Sequence, residues 1–349
     1  MLTELRLQNF RCFEALTLEL APGFNFFLGA NGEGKTSILE AACVLLRLQS
    51  QRSSSLAPLV QLDRKSFAVA GRYGDHSLEF RYSALRRKLS FDQVDQTKPA
   101  EYLRIGRVVS FANTDIELAR AGSEPRRRYL DFLGSQINPS YRPTLCAYER
   151  ALRSRNALLK SSQPRTREIA AYDPPLLEHG ARLSAMRATL VERLSPFASE
   201  AHAGIGGEEK LDMKFIPASG ADFEKELAKS RAEESRLRQT IVGPHRDDLE
   251  LRVEKMSAAV YASEGQQRTI ALALKIAQAQ IFAAEEKVSP LLLIDDIFGE
   301  LDPRRRNALL RHLPAGAQKL VTATALQWRE NEFDGPVSRL EAGKVMLLL

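Results

Sequence analysis

Eight consecutive residues, Gly29-Ala30-Asn31-Gly32-Glu33-Gly34-Lys35-Thr36, constrain the fold more than any other part of the 349-residue chain. They follow the pattern G-x-x-x-x-G-K-[ST], a loop whose glycines let successive backbone N–H groups turn inward onto phosphate oxygens. The flanks agree with that reading. Phe24 to Leu28 is a short apolar run, as expected of a strand buried on both faces. Thr36 to Gln49 carries apolar residues at Ile38, Leu39, Ala42, Leu45 and Leu46, as a helix would. A helix opening directly after the loop adds its own N–H groups and partial positive charge to the same anion site. Lys35 is then expected to reach the β- and γ-phosphates of a nucleotide, Thr36 to ligate Mg2+, and Ser37 to complete the phosphate-binding set.

A second motif supplies the complementary charge. Leu291-Leu292-Leu293-Ile294-Asp295-Asp296 is an apolar strand ending in two acids. Ligands of open α/β sheets sit at the carboxyl ends of strands. Asp295 is therefore expected beside the phosphate loop as a holder of Mg2+. Asp296 is expected to face the γ-phosphate and to orient or deprotonate water. The pair predicts ATP and Mg2+ as cofactors, with Lys35 and Asp296 as the catalytic residues. Asp is one methylene shorter than the Glu that many such ATPases carry at the second position, so slow turnover is expected.

Between these motifs the texture changes. Leu2, Leu5, Leu7 and Phe10 give an imperfectly alternating first strand, and Leu16, Leu18 and Leu20 a second. Residues 50 to 65 read as an exposed loop. Phe67 to Ala70, Leu78 to Tyr82 and Val108 to Phe111 read as strands. From about 114, helical stretches at 115–133, 139–160 and 173–201 are punctuated by Pro139, Pro143, Pro164, Pro174-Pro175 and Pro196. Residues 202 to 240 are polar and partly irregular. The α/β texture returns from 241, with a helix from Glu264 to Ala284 and strands at Pro290 to Ile294, Lys319 to Thr322 and, after Gly343, Val345 to Leu349. The expected organisation is a discontinuous α/β head, 1–113 and 241–349, with a mainly helical arm, 114–240, inserted in it. The net charge of +6 is concentrated in the arm: residues 120 to 193 carry fourteen Arg and Lys against seven Asp and Glu. Such an excess is either a solvated helical face or a face for an anionic polymer. No run approaches 18 apolar residues and no charged segment leads into an apolar one at the start, so the expected compartment is the cytoplasm. Cys12, Cys43 and Cys146 have neither disulfide nor zinc spacing.

Ala262-Ser263-Glu264-Gly265-Gln266-Gln267-Arg268 opens the helix after 263. Ser263 is a natural N-cap and Gln266 sits at the reciprocal capping-box position. In this place the segment resembles the ABC signature. By that likeness Ser263, Gly265, Gln266 and the helix N-terminus would hold the γ-phosphate of a nucleotide bound by a second subunit. ATP would then join two heads, and its hydrolysis would part them. Gly299-Glu300-Leu301-Asp302 resembles the D-loop of that superfamily. Val321-Thr322-Ala323-Thr324 stands where transporter ATPases often carry a switch histidine, and it has none. No Gln lies between Ser110 and Asp115. Asn113 is the nearest candidate for the Q-loop residue, and an ordinary cap explains it as well.

Taken in order, these motifs resemble the RecF family of the ABC/SMC-like ATPase superfamily over nearly the whole chain. The more specific matches are Leu7-Gln8-Asn9-Phe10-Arg11, Arg126-Arg127-Arg128-Tyr129-Leu130-Asp131, Gly243-Pro244-His245-Arg246-Asp247-Asp248-Leu249 and Ser263-Glu264-Gly265-Gln266-Gln267-Arg268-Thr269. The resemblance implies an ABC-type P-loop head carrying a helical arm. It implies an ATP-dependent homodimer on double-stranded DNA and single/double-strand junctions, weak ATP hydrolysis that releases it, and a part in recombinational repair. There the family is said to work with RecR and RecO to load RecA at single-stranded gaps. It also implies that Arg11 reaches the nucleotide. Arg126, Arg127, Arg128, Arg153 and Arg155 are the arm's candidates for DNA phosphates. His245 reads as a structural residue. The competing readings are the ATPase subunit of a transporter or of a nuclease-associated defence system. The missing switch histidine and the basic insertion speak against the first, and no nuclease-like acid cluster supports the second.

Overall fold

The computed structural model describes all residues except 54, 164, 207–208, 221, 328–332, 342–343 and 349, so Pro164, Gly343 and Leu349 lie outside the described residues. In chain order the strands are β1 Leu2–Phe10, β2 Phe13–Glu19, β3 Phe24–Leu28, β4 Ser66–Tyr73, β5 His76–Ser83, β6 Arg87–Phe91, β7 Val94–Asp95 and β8 Val108–Ala112. They continue as β9 Leu211–Ile216, β10 Asp248–Val253, β11 Met256–Ser257, β12 Leu291–Asp295, β13 Lys319–Ala323, β14 Val337–Glu341 and β15 Lys344–Leu348. The helices are α1 Lys35–Arg47, α2 Glu117–Arg120, α3 Ser123–Ile137, α4 Tyr141–Leu159, α5 Thr166–Ala170, α6 Asp173–Gly204, α7 Phe223–Leu237, α8 Ala258–Tyr261, α9 Glu264–Ala284 and α10 Pro303–His312.

Two compact units result. The first comprises Met1–Asp115, Gly204–Gly206 and Lys275–Leu349, and the second Ile116–Ala203 and Gly207–Leu274. The first unit resumes at Lys275, whereas the sequence texture places the return at 241. The reason is a pairing invisible to local pattern: β10 runs antiparallel to β9, from Asp248 opposite Ile216 to Val253 opposite Leu211.

The first unit holds two six-stranded sheets. One is ordered β2-β1-β4-β5-β6-β7, antiparallel throughout. Its apolar side alternates through Leu5, Leu7, Phe67, Val69, Leu78 and Phe80, all buried. The alternation slips between Leu2 and Leu5 because the register of β1 with β4 shifts between Leu2 and Glu4. The other sheet is ordered β15-β14-β3-β13-β12-β8, and β14, β3, β13, β12 and β8 run parallel. Helix α1 contacts strands of both sheets. Its segment from Ile38 to Leu46 is at most 1 % exposed, which an apolar residue on nearly every face requires. The polar exceptions are matched. Glu40 accepts from Arg11 and Ser50, and Arg47 donates to the carbonyls of Leu103 and Gly106.

The second unit is helical, with the small sheet β11-β10-β9. Helix α6 spans 32 residues; Pro174 and Pro175 sit in its first turn and Pro196 inside it. Proline is cheap in a first turn, where its missing N–H has no partner to lose. Around Pro196 the helix continues on both sides, so that proline does not end it. Residues 202–240, read from the sequence as polar and partly irregular, contain β9 and α7. The buried stripe of α7 is Phe223, Leu227, Ser230 and Glu234, half of it polar, which hides its helical period from an apolar count.

Candidate active site

The topology of the parallel sheet brings distant segments together. Strand β13 lies between β3, which leads into the phosphate loop, and β12, which ends in the two aspartates. Its register sets Thr322 beside Phe27 on one side and Asp295 on the other. At the strand ends the Thr36 hydroxyl donates to Asp295 Oδ1 at 2.7 Å, and the Thr322 hydroxyl donates to the same oxygen at 2.8 Å. Residues 259 positions apart in sequence thus share one carboxylate oxygen. The Asp296 N–H donates to Thr322 Oγ1 at 3.0 Å, and the Asn113 amide donates to the Asp296 carbonyl at 3.2 Å. Asp296 takes a left-handed φ of 50°. Burial holds its carboxyl above the ordinary aspartate range; Lys35 pulls it down, and Asp295 and Glu300 push it up.

These groups face a cavity of about 490 Å³ lined by Arg11, Cys12, Asn31, Gly32, Gly34, Lys35, Thr36, Ser37, Asp295 and Asp296, and also by Arg52, Pro58 and Val60. Gly34 has a φ of 94°, and a Cβ there would lie 2.6 Å from Cys12 Sγ and 2.8 Å from Phe13 Cζ. Both the dihedral and the space demand glycine. Gly29 and Ala30 do not line the cavity; their carbonyls accept from Lys35 Nζ at 2.6 and 2.9 Å. Glu33, likewise outside the lining, is half-buried. Arg11 lines the cavity with its guanidinium held by Glu40 at 2.9 and 3.0 Å and by the Pro58 carbonyl at 3.0 Å. Its charge is matched before any ligand is considered.

Sequence reasoning missed Thr322, Cys12, Arg52, Pro58 and Val60. Thr322 carried a signal, since it closes a buried strand; only the sheet order shows which carboxylate it serves. The 50–65 segment carried none. It folds back because the N–H of Arg11 donates to the Leu59 carbonyl at 2.8 Å and that of Gln61 to the Asn9 carbonyl at 2.9 Å. The three cysteines are free; Cys12 and Cys146 are exposed and Cys43 is buried.

In the second unit the signature segment forms the capping box its spacing predicts. The Ser263 N–H donates to Gln266 Oε1 at 2.7 Å and the Gln266 N–H to Ser263 Oγ at 3.3 Å. Gln266 Nε2 donates to Glu209 at 2.6 Å, and Thr269 closes onto the Gly265 carbonyl at 2.9 Å.

The arm arginines divide sharply. Arg126 is 7 % exposed, forks onto Asp248 at 2.7 and 3.0 Å, and donates to the carbonyls of Leu118 and Ala121. Arg155 is 1 % exposed and held by Asp173 at 3.0 Å, Glu234 at 2.7 Å and Thr240 at 2.8 Å. Neither presents a donor to an external phosphate, which corrects their reading as DNA contacts. Arg127 is half-buried and donates to the Asp247 carbonyl at 2.8 Å and to Ser123. Arg128 and Arg153 are exposed, in pairs with Glu124 and Glu149. His245 is a structural residue, bonded to Tyr148 at 2.6 Å and the Thr240 carbonyl at 3.0 Å.

The two arm motifs are largely each other's partners. Arg126 meets Asp248, Arg127 meets the Asp247 backbone, and Arg187 ties Asp131 to Asp247 at 2.9 and 3.2 Å.

Comparison with known proteins agrees with this geometry. The RecF/RecN/SMC N-terminal domain family matches residues 1–332. The DNA replication and repair protein RecF of Symbiobacterium thermophilum is 38% identical, over 99% of this chain and 98% of that protein. The RecF of Bacillus cereus strain G9842 is 33% identical, over 95% of this chain and 94% of that protein. Among solved structures, the recombination mediator RecF-ATP of the RecFOR pathway superposes with a TM-score of 0.89 at 31% identity, covering 100% of this chain and 97% of that one. The Smc head domain of Pyrococcus furiosus, at 16% identity and a TM-score of 0.56, shares the fold. The chain is a mixed α/β protein of the ABC-type ATPase-head fold and belongs to the RecF family.

Proposed function

We propose that this chain is an ATP-dependent DNA-binding protein of recombinational repair, in which ATP joins two copies on DNA and slow hydrolysis releases them. The observation that carries the nucleotide half of this reading is the meeting of Thr36 and Asp295 at 2.7 Å beneath the phosphate loop. A hydroxyl and a carboxylate are hard oxygen donors of the kind Mg2+ takes, so the residues present fit that ion. Bound there with ATP, Mg2+ would supply charge neutralisation of the β- and γ-phosphates. Thr36 and Asp295 would hold it. The N–H groups of Gly32, Gly34, Lys35, Thr36 and Ser37 would cradle the phosphates, with Gly29, Ala30, Asn31 and Glu33 completing the loop. Lys35 would exchange the two loop carbonyls for phosphate oxygens. Asp296 would orient or deprotonate the attacking water, and the burial that raises its pKa makes it the better proton acceptor. Thr322 would keep both aspartates in register.

The first unit is then the ATPase head, and Ser263, Gly265 and Gln266 would complete a second copy's site. The helical second unit would serve as the arm. DNA partners, RecR and RecO, RecA loading and a cytoplasmic location are expectations carried by the resemblance to the RecF family. Among the described residues no helix is long and apolar enough to cross a membrane.

The test is binding to double-stranded, single-stranded and junction DNA with ATP, ADP or no nucleotide, with solution mass read in parallel. Wild type is compared with Lys35→Met and Ser263→Arg. ATP-dependent dimers with tighter DNA binding, lost in both variants, are expected. ATP binding with no response of mass or DNA affinity would overturn the reading.

A further inference from the structure

Arg126 and Arg155 are buried, and the exposed Arg128 and Arg153 are already paired with glutamates, whereas the first unit offers cations that are unpaired among the described residues. Strands β5 and β6 are joined by Ala84-Leu85-Arg86. The connection is closed by the Ser83 N–H on the Arg86 carbonyl at 2.8 Å and by the Arg86 N–H on Ser83 Oγ at 3.1 Å. Hairpin tips ordinarily carry Gly, Asn or Asp. Here Leu85 stands at the tip with 99 % of its surface exposed. Three cations, Arg86, Arg87 and Lys88, follow it directly. A fourth, Lys65, precedes Ser66, which pairs with Ser83 at the foot of the tip. Arg87 lies over the Tyr82 ring at 5.8 Å and Lys88 pairs with Asp95 at 3.0 Å. The side chains of Lys65 and Arg86 have no partner among the described residues, and both are exposed. The tip lies at the end of the sheet where β1 runs out into Arg11 and Cys12 at the cavity, since Gln8 pairs with Ala68 near the start of β4.

Folding gains nothing from a bare leucine at such a tip. A partner must offer phosphates to the cations and, within a few ångströms of them, an apolar face to the leucine. Continuous duplex meets the first need but hides its base faces in the stack; a strand leaving the duplex meets both. We propose that the β5–β6 tip is a nucleic-acid contact that recognises a single/double-strand junction. Lys65 and Arg86 take backbone phosphates, and Leu85 rests against the first unstacked base. This inference rests on the DNA-binding reading above and names its surface.

Full-length protein with ATP is titrated with fluorescent duplex, single-stranded and junction oligonucleotides over a salt series. Lys65→Glu with Arg86→Glu is expected to weaken binding to all three at least tenfold and to lower the log–log salt slope by about two. Leu85→Ala is expected to leave the slope and duplex affinity unchanged and to weaken junction binding about fivefold, on the scale of base-to-side-chain stacking. A photo-crosslinking residue at position 85 should attach to the strand at the junction. Melting temperature and ATP affinity, unchanged in the variants, exclude misfolding. Wild type that binds no DNA in any nucleotide state would sink the DNA-binding reading itself. Wild type that binds, with variants that match it in affinity and slope, would overturn this inference alone. So would a crosslink that attaches to a protein partner and never to DNA.

Discussion

The nucleotide cavity of the first unit and the ion-pair network of the second are both rich in charge, and they use it in opposite ways. Around the cavity, Lys35, Asp295 and Asp296 face open space, and Lys35 is satisfied by loop carbonyls that a phosphate can replace. In the second unit Arg155 spends its donors on Asp173, Glu234 and Thr240, and Arg187 on Asp131, Asp247 and the Pro244 carbonyl. Burial alone would lower the Arg187 pKa, but Asp131, Tyr141 and Asp247 outweigh it and hold the guanidinium above its ordinary value. Charge facing a cavity serves a ligand. Charge cancelled internally fixes how helices meet, and it serves nothing outside.

The largest expected effect comes from breaking the second arrangement. Arg155→Ala leaves Glu234 buried without its cation, and loss of one partner from a buried pair costs about 3–5 kcal/mol. Chemical denaturation of the nucleotide-free chain should show that loss. Arg153→Ala, two residues away on the same helix but exposed, should cost under about 1 kcal/mol. Equal losses in the two variants would erase the division between buried and surface arginines.

Lys35→Met should do the reverse. Its Nζ makes only loop contacts that the fold can spare, so the melting temperature should hold. ATP affinity should fall about a hundredfold, close to 3 kcal/mol, as expected for a lost charge-assisted bond. Titration with a fluorescent ATP analogue measures it. A large loss of stability with unchanged affinity would mean that Lys35 is a structural cation like Arg155.

How much of this was legible in the sequence follows from the same division. The phosphate loop and the acid-ended strand could be read directly, because a backbone that must curl round phosphate demands glycine at fixed positions. The capping box at Ser263 and Gln266 was equally local. The arginine-rich stretch misled, because a guanidinium bound for a buried carboxylate looks the same as one bound for a phosphate. Arg126 and its partner Asp248 lie 122 positions apart. The same distance problem hid Thr322, whose role exists only once β13 inserts between β3 and β12. Helix α7 escaped because Glu234 holds a core position that an apolar pattern cannot see.

Thr322→Val sharpens the cavity side. The hydroxyl bonds both Asp295 and the Asp296 N–H, so its loss removes one bond from each of two groups at the strand end while preserving shape. The expected outcome is about a tenfold fall in ATP turnover, near 1.4 kcal/mol, with little change in ATP affinity. Steady-state phosphate release and equilibrium nucleotide binding separate the two. A fall in affinity alone would make Thr322 part of the binding site and not a holder of the aspartates.

The smallest expected effect is a pH dependence confined to the second unit. Burial lowers the His245 pKa to about 4; the Thr240 carbonyl bond and Asp247 oppose the shift, and Arg246 and Arg127 add to it. Folded, the ring stays neutral below its unfolded value of about 6.5, where the unfolded chain takes up a proton. Unfolding is therefore favoured as pH falls from 6.5 towards 4, and above 6.5 the term vanishes. Between pH 7 and pH 6 His245 should remove about 0.7 kcal/mol of stability. His202, buried and lowered in the same direction, adds to the slope, so the comparison needs single variants. Denaturation at both pH values should show a shallower slope in His245→Asn than in wild type, whatever its absolute stability. ATP affinity, set by groups of the other unit, should follow the same pH course in both proteins. A change in that course would mean that the two charge arrangements are coupled and not independent.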